Sequence, residues 1–152
     1  MRKNNLVITP IFIFTAILSI ISFVFMNIIN HFIYHRVLDS GFYYSAYSFI
    51  IIISYSLQKK KLYKFVPIIL IIIVALLFGI NRPNFTYKQA IEIIQSEENL
   101  EHIGIDTSNM LLLNSPNICI NKAYVINMKK DGQVIKYVFD PISGKYNISN
   151  LF

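Results

Sequence analysis

The chain has 152 residues, of which 55% are hydrophobic and 14% charged, against about 25% charged in ordinary soluble domains. Its net charge of +6 is uneven: residues 1–83 carry eight basic side chains and one acid, Asp39, whereas residues 84–152 carry six basic and seven acidic side chains. So much apolar surface excludes disorder over most of the chain and argues against a freely soluble protein, and the near-neutral second half lacks the basic face that nucleic-acid binding needs.

Three apolar stretches occupy the first half. Leu6 to about Ile29 carries no charge and is long enough to cross ~30 Å of hydrocarbon outright. Its length, and the absence of a small-x-small site after it, predict a retained anchor rather than a cleaved signal peptide. The second stretch, Phe42 to Leu57, and the third, Phe65 to Ile80, need their flanks to span. Spans are therefore expected at about 6–29, 40–57 and 62–80, with Tyr43, Tyr44, Tyr47, Tyr55 and Tyr63 near their ends, where aromatic belts sit.

Basic residues set the orientation. Arg2 and Lys3 precede the first span, and Lys59, Lys60, Lys61 and Lys64 lie between the second and third; Arg36 stands alone between the first and second. Short loops rich in Lys and Arg stay in the cytoplasm, so these six residues are the topology determinants. The N-terminus is expected inside, 31–41 outside, 58–64 inside and 81–152 outside. Thr15, Ser19 and Ser22 share one helical face, and Ala75 and Gly79 form a small-xxx-small pair; both are candidate helix-packing faces.

Asn81-Arg-Pro83-Asn84 ends the third apolar run. Thr86 and Gln89 fit a capping box that opens a helix over about 86–98. Residues 99–117 give no clear pattern, although Met110–Leu113 fits a short strand or a covering segment. Residues 123–128 are strand-prone, Asp131-Gly132 is a hairpin turn, and 134–139 returns. Asp140-Pro141-Ile142-Ser143-Gly144 is a second turn, leading to a third strand over 145–148. The expected architecture is a membrane all-α domain of three transmembrane helices over 1–83, and a small extracytoplasmic α+β domain over 84–152, in which one helix packs on an antiparallel β-meander.

The tail pattern runs from Tyr87-Lys-Gln-Ala90-Ile91-Glu92-Ile93, through strands around Lys130-Asp131-Gly132, to Tyr137-Val-Phe-Asp140-Pro-Ile-Ser143-Gly144-Lys145. Over about 86–149 it resembles the PepSY domain family, with Ser143 where Thr is usual. The resemblance implies an extracytoplasmic, often membrane-tethered module that binds or restrains proteins such as peptidases, and it carries no catalytic residues.

Other constellations are weak. On a continuous helix His31, His35 and Asp39 would form one stripe able to share a metal, but no fourth ligand accompanies them. Cys119 excludes an internal disulfide and, between Ile118 and Ile120, reads as a buried filler. No phosphate loop, nucleophile elbow or paired carboxylates occur, so neither an enzyme nor a cofactor is expected. The expected partners are the lipid bilayer and another membrane or extracytoplasmic protein, met at the sheet edge or at the turns Asp131, Gly132, Asp140, Pro141 and Gly144. The alternative is an accessory or immunity-type subunit of a membrane complex that acts through its helices.

Overall fold

The computed structural model describes residues 9–60, 63–104, 119–120 and 122–149. Among them it contains four helices and a four-stranded antiparallel sheet, an α+β arrangement. The chain divides into two compact units: Met1–Asn27 with Ser40–Ile80, and Ile28–Asp39 with Asn81–Phe152. Arg2, Lys3, Lys61 and Met110–Leu113 lie outside the described residues.

The first unit is helical. α1 spans Pro10–Phe32, α2 Ser40–Leu57 and α3 Val66–Ile80. α1 starts at a proline, which suits a first helical position because its missing N–H has no intrahelical partner there. It runs three residues beyond the expected end at Ile29. α3 begins at Val66 rather than at residue 62: Pro67 lies in its first turn, and the preceding Tyr63–Phe65 forms a turn instead of helix. Of the three, α1 alone is both long and apolar enough to cross a membrane by itself; α3 is apolar but short.

α1 and α2 run antiparallel. The Thr9 N–H donates to Gln58 Oε1 (3.0 Å), the Thr15 and Ser54 hydroxyls meet at 2.5 Å, and the Tyr47 hydroxyl donates to Met26 Sδ (3.1 Å). Thr15 and Ser19 are each 1% exposed, so the small polar face packs as the sequence suggested. Their hydroxyls return to backbone carbonyls one turn back, which satisfies them in an apolar setting. α3 packs on α2 through a face that includes Ile71, Val74 and Phe78, with Phe78 edge-on to Tyr43. Ala75 and Gly79 lie outside that face and are exposed; a Cβ on Gly79 would meet nothing within 4 Å.

The second unit carries the sheet. α4 spans Tyr87–Glu98, within a residue of expectation. Its N-terminus holds the full capping box: Thr86 Oγ1 accepts from the Gln89 N–H, and Gln89 Oε1 accepts from the Thr86 N–H. It ends on Asn99 in the left-handed region, which allows β1, Glu101–His102, to follow at once. β2 is Tyr124–Lys130, β3 Gln133–Phe139 and β4 Tyr146–Ile148, in the order β1-β2-β3-β4. Three strands were expected and four occur; β1 is too short to leave a periodic signal.

The β2–β3 hairpin closes as predicted. Lys130 pairs with Gln133 across Asp131 (φ 51°) and Gly132 (φ 85°), both left-handed, as a two-residue turn of the primed type requires. The register puts Tyr124, Ile126, Met128, Tyr137, Phe139 and Tyr146 on one sheet face. α4 covers that face: Ala90 and Ile94 are fully buried, and Tyr87 stands edge-on to Tyr124.

The second turn is built around Asp140. Its Oδ1 accepts from the Ile142 N–H (2.9 Å), and its Oδ2 accepts from the Ser143 hydroxyl (2.6 Å). Ser143 thus supplies the hydroxyl that a threonine would. Gly144 has φ 75°, and a Cβ there would stand 2.8 Å from the Phe85 ring. The Phe85 N–H donates to the Pro141 carbonyl, which fastens the turn to the start of the tail.

Candidate functional site

Within the second unit, Ile28–Asp39 is part of the fold rather than a solvated loop. The helix ends at Phe32, and His35 (φ 45°) and Arg36 (φ 61°) then turn the chain through two consecutive left-handed residues. Such non-glycine conformations cost of order 1–3 kcal/mol each and persist only when neighbours hold them. Asn30 does so. Its Nδ2 donates to the Leu38 carbonyl (3.0 Å), its Oδ1 accepts from the Leu38 N–H (3.1 Å), and its own carbonyl accepts from the Arg36 N–H (2.9 Å).

This reversal buries Tyr34, Val37 and Leu38. Leu38 forms a β-bridge with Ile120, and the Asp39 N–H donates to the Cys119 carbonyl. Cys119 is buried, which agrees with a packing role. The Ile33 carbonyl accepts from the Tyr87 N–H (3.3 Å), and the His35 ring lies 3.9 Å from the Tyr87 ring.

A cleft of about 470 Å³ opens here, lined by Phe32, Ile33, His35, Thr86, Tyr87, Lys88, Ile91 and His102. His102 is brought in by β1, and its Nε2 is buried with no hydrogen-bond partner among the described residues. Among the described lining residues Lys88 carries a charge, and none is a carboxylate. Burial, then the neighbouring His31, hold His35 below its ordinary value of 6.5. Beneath the cleft the Tyr124 hydroxyl donates to the Phe85 carbonyl (2.9 Å); burial, and then Tyr34, push its pKa well above the ordinary tyrosine value.

The residues singled out from the sequence are dispersed. The His31–His35–Asp39 stripe does not form, because the helix stops between the two histidines. Instead Arg36 Nε donates to His31 Nδ1 (3.0 Å), and the Asp39 backbone is engaged with Cys119. Asp131 and Gly132 are exposed at the hairpin tip. Asp140 is half-buried, Pro141 is among the most buried residues, and Gly144 abuts Phe85. The exposure that recommended the turns as contacts therefore holds for the first turn and not for the second, whose residues are engaged in closing it. Lys59, Lys60 and Lys64 are exposed, with Lys64 Nζ 4.9 Å from the Phe65 ring centre.

The cleft has no signature in the sequence. His102 and Lys88 carry no motif, and the sequence holds only one relevant hint. Tyr34, Val37 and Leu38 are too apolar for an 11-residue solvated loop. No family model matches the chain, and no curated protein and no solved structure is significantly similar to it.

Proposed function

We propose that the chain is a three-span membrane protein whose second unit is an extracytoplasmic protein-binding module. The apolar surface left on all three helices carries this reading. Ile21, Phe25, Phe49, Ile52, Ile72, Leu76 and Ile80 are each more than half exposed among the described residues. Contiguous apolar surface of this extent is foreign to soluble monomers and ordinary in a bilayer. α2 and α3, at ~27 Å and ~22 Å from a rise of about 1.5 Å per residue, span with their turns and aromatic flanks, or by local thinning of the bilayer.

The composition of the second unit supports the topology. The chain after α1 and the chain after α3 fold together, so both lie on one side of the membrane, as an α2–α3 hairpin that crosses and returns requires. Lys59, Lys60 and Lys64 then occupy the other side, which the positive-inside rule makes cytoplasmic. The role of the exported unit is binding rather than catalysis. Its contact surface is the Asp131-Gly132 tip with the outer edge of β3 from Gln133 to Ile135, beside which no strand lies among the described residues. An open strand edge recruits an added strand from a partner. The PepSY resemblance points to a peptidase or envelope enzyme as that partner.

A second reading rests on Ala75 and Gly79. This small-residue face of α3 is exposed among the described residues and suits a helix of another membrane subunit. Photo-crosslinkers placed at Asp131 and at Gly79 of the full-length chain in native membranes separate the two. A protein adduct at Asp131 is expected. Adducts at Gly79 alone would favour the accessory-subunit reading, and silence at Asp131 would overturn the first.

A further inference from the structure

We propose that the cleft between Phe32 and His102 is a binding site for the phosphate headgroup of an anionic phospholipid. Its volume of about 470 Å³ falls within the ~300–1,000 Å³ of ordinary ligand sites. Three observations set the ligand's chemistry. Lys88 brings a positive charge to the lining, His35 and His102 bring imidazole nitrogens, and no Asp or Glu is among the described lining residues. That selects an anion.

Phe32, Ile33 and Ile91 form the rest of the wall, with Phe32 72% and Ile33 43% exposed. That selects a ligand with an apolar part. His102 Nε2 is buried without a partner among the described residues, and a buried nitrogen with unspent hydrogen-bonding capacity costs stability until something pairs with it.

Lys88 is available to that ligand. Its ion pair among the described residues, to Glu92, is 3.8 Å long with side chains 87% and 58% exposed, a geometry that holds a lysine weakly. The source of the ligand follows from the position of Phe32. It is the last residue of α1 and follows the proposed first span directly in the chain, so on the three-span reading a lipid is the source of an amphiphilic phosphate. The inference rests on α1 being embedded to its last turn; it is independent of which protein the exported unit binds.

The test uses the full-length chain in mild detergent and counts bound phosphatidylglycerol and phosphatidylcholine by native mass spectrometry. The chain should retain phosphatidylglycerol in preference to phosphatidylcholine. Replacing Lys88→Gln and His102→Gln together should weaken the tightest phosphatidylglycerol at least roughly tenfold, as loss of a charge-assisted hydrogen bond implies. Replacing Lys59, Lys60 and Lys64 by Gln should leave that site occupied.

Equal retention of both lipids would overturn the proposal. So would loss of phosphatidylglycerol only in the triple variant, which would assign binding to the opposite loop. Displacement of the lipid by millimolar inorganic phosphate would leave a free-phosphate site and sink the lipid assignment. A photo-crosslinker at Ile91 gives an answer that does not depend on the double variant folding: a phosphatidylglycerol adduct supports the site, and its absence refutes it.

Discussion

Leu38→Ala probes whether the segment after α1 belongs to the fold of the tail. Leu38 is 2% exposed and bridges Ile120. Truncating a fully buried leucine costs about 2–5 kcal/mol, depending on how far the site collapses. A unit of this size is stable by about 4–12 kcal/mol at roughly 0.05–0.15 kcal/mol per residue. One methyl-for-isobutyl exchange, some 85 positions away in sequence from β2, therefore removes a large part of the stability of the sheet.

Hydrogen exchange of the full-length chain in lipid nanodiscs reads this directly. If the unit opens as one body, a loss of about 2–4 kcal/mol lowers protection of the Tyr124–Lys130 amides by roughly 30- to 1,000-fold. Refutation would be unchanged protection in β2 and β3, with faster exchange confined to residues 30–38. The segment would then be an appendage, and the argument that both flanks of the α2–α3 hairpin share one side would lose its basis.

Three further perturbations test the local physics. Thr86→Ala removes one half of the capping box and should lower the stability of the second unit by about 1 kcal/mol, read by thermal denaturation; no change would mean that tertiary packing alone fixes the start of α4. Gly144→Ala meets both a left-handed φ and the Phe85 ring at 2.8 Å, so a loss of roughly 1–3 kcal/mol is expected, and Phe85→Ala should recover part of it. His35 is held below 6.5 in the folded state, so the unfolded chain binds its proton more readily. Its contribution is complete above about pH 6.5 and is lost as pH falls through the lower folded value. Melting of the second unit between about pH 8 and about pH 5 should show that decline, and His35→Phe should flatten it.

What the sequence made legible was local. The capping box of Thr86 and Gln89, the Asp131-Gly132 turn and the apolar runs are each decided within a few residues, and each stands where it was expected. Pro67 moved the start of α3, because a proline in the first turn fits a helix beginning there better than one already under way. Tertiary matters were not legible. β1 is two residues long and exists because β2 offers it an edge. His35 meets Tyr87, and His102 joins the same cleft, only through the pairing of segments some 50 to 90 positions apart. The second turn looked like exposed loop chemistry, yet its Asp140, Ser143 and Gly144 are there for closure against Phe85.

The central claim is that the hairpin tip of the second unit and the lysine-rich α2–α3 loop lie on opposite sides of one membrane. Single cysteines at Asp131 and at Lys60, with the parent chain and its buried Cys119 as background, test it with a membrane-impermeant maleimide. Asp131→Cys should label in intact cells, and Lys60→Cys only after permeabilisation. Labelling of both, or of neither, before permeabilisation would contradict the three-span account.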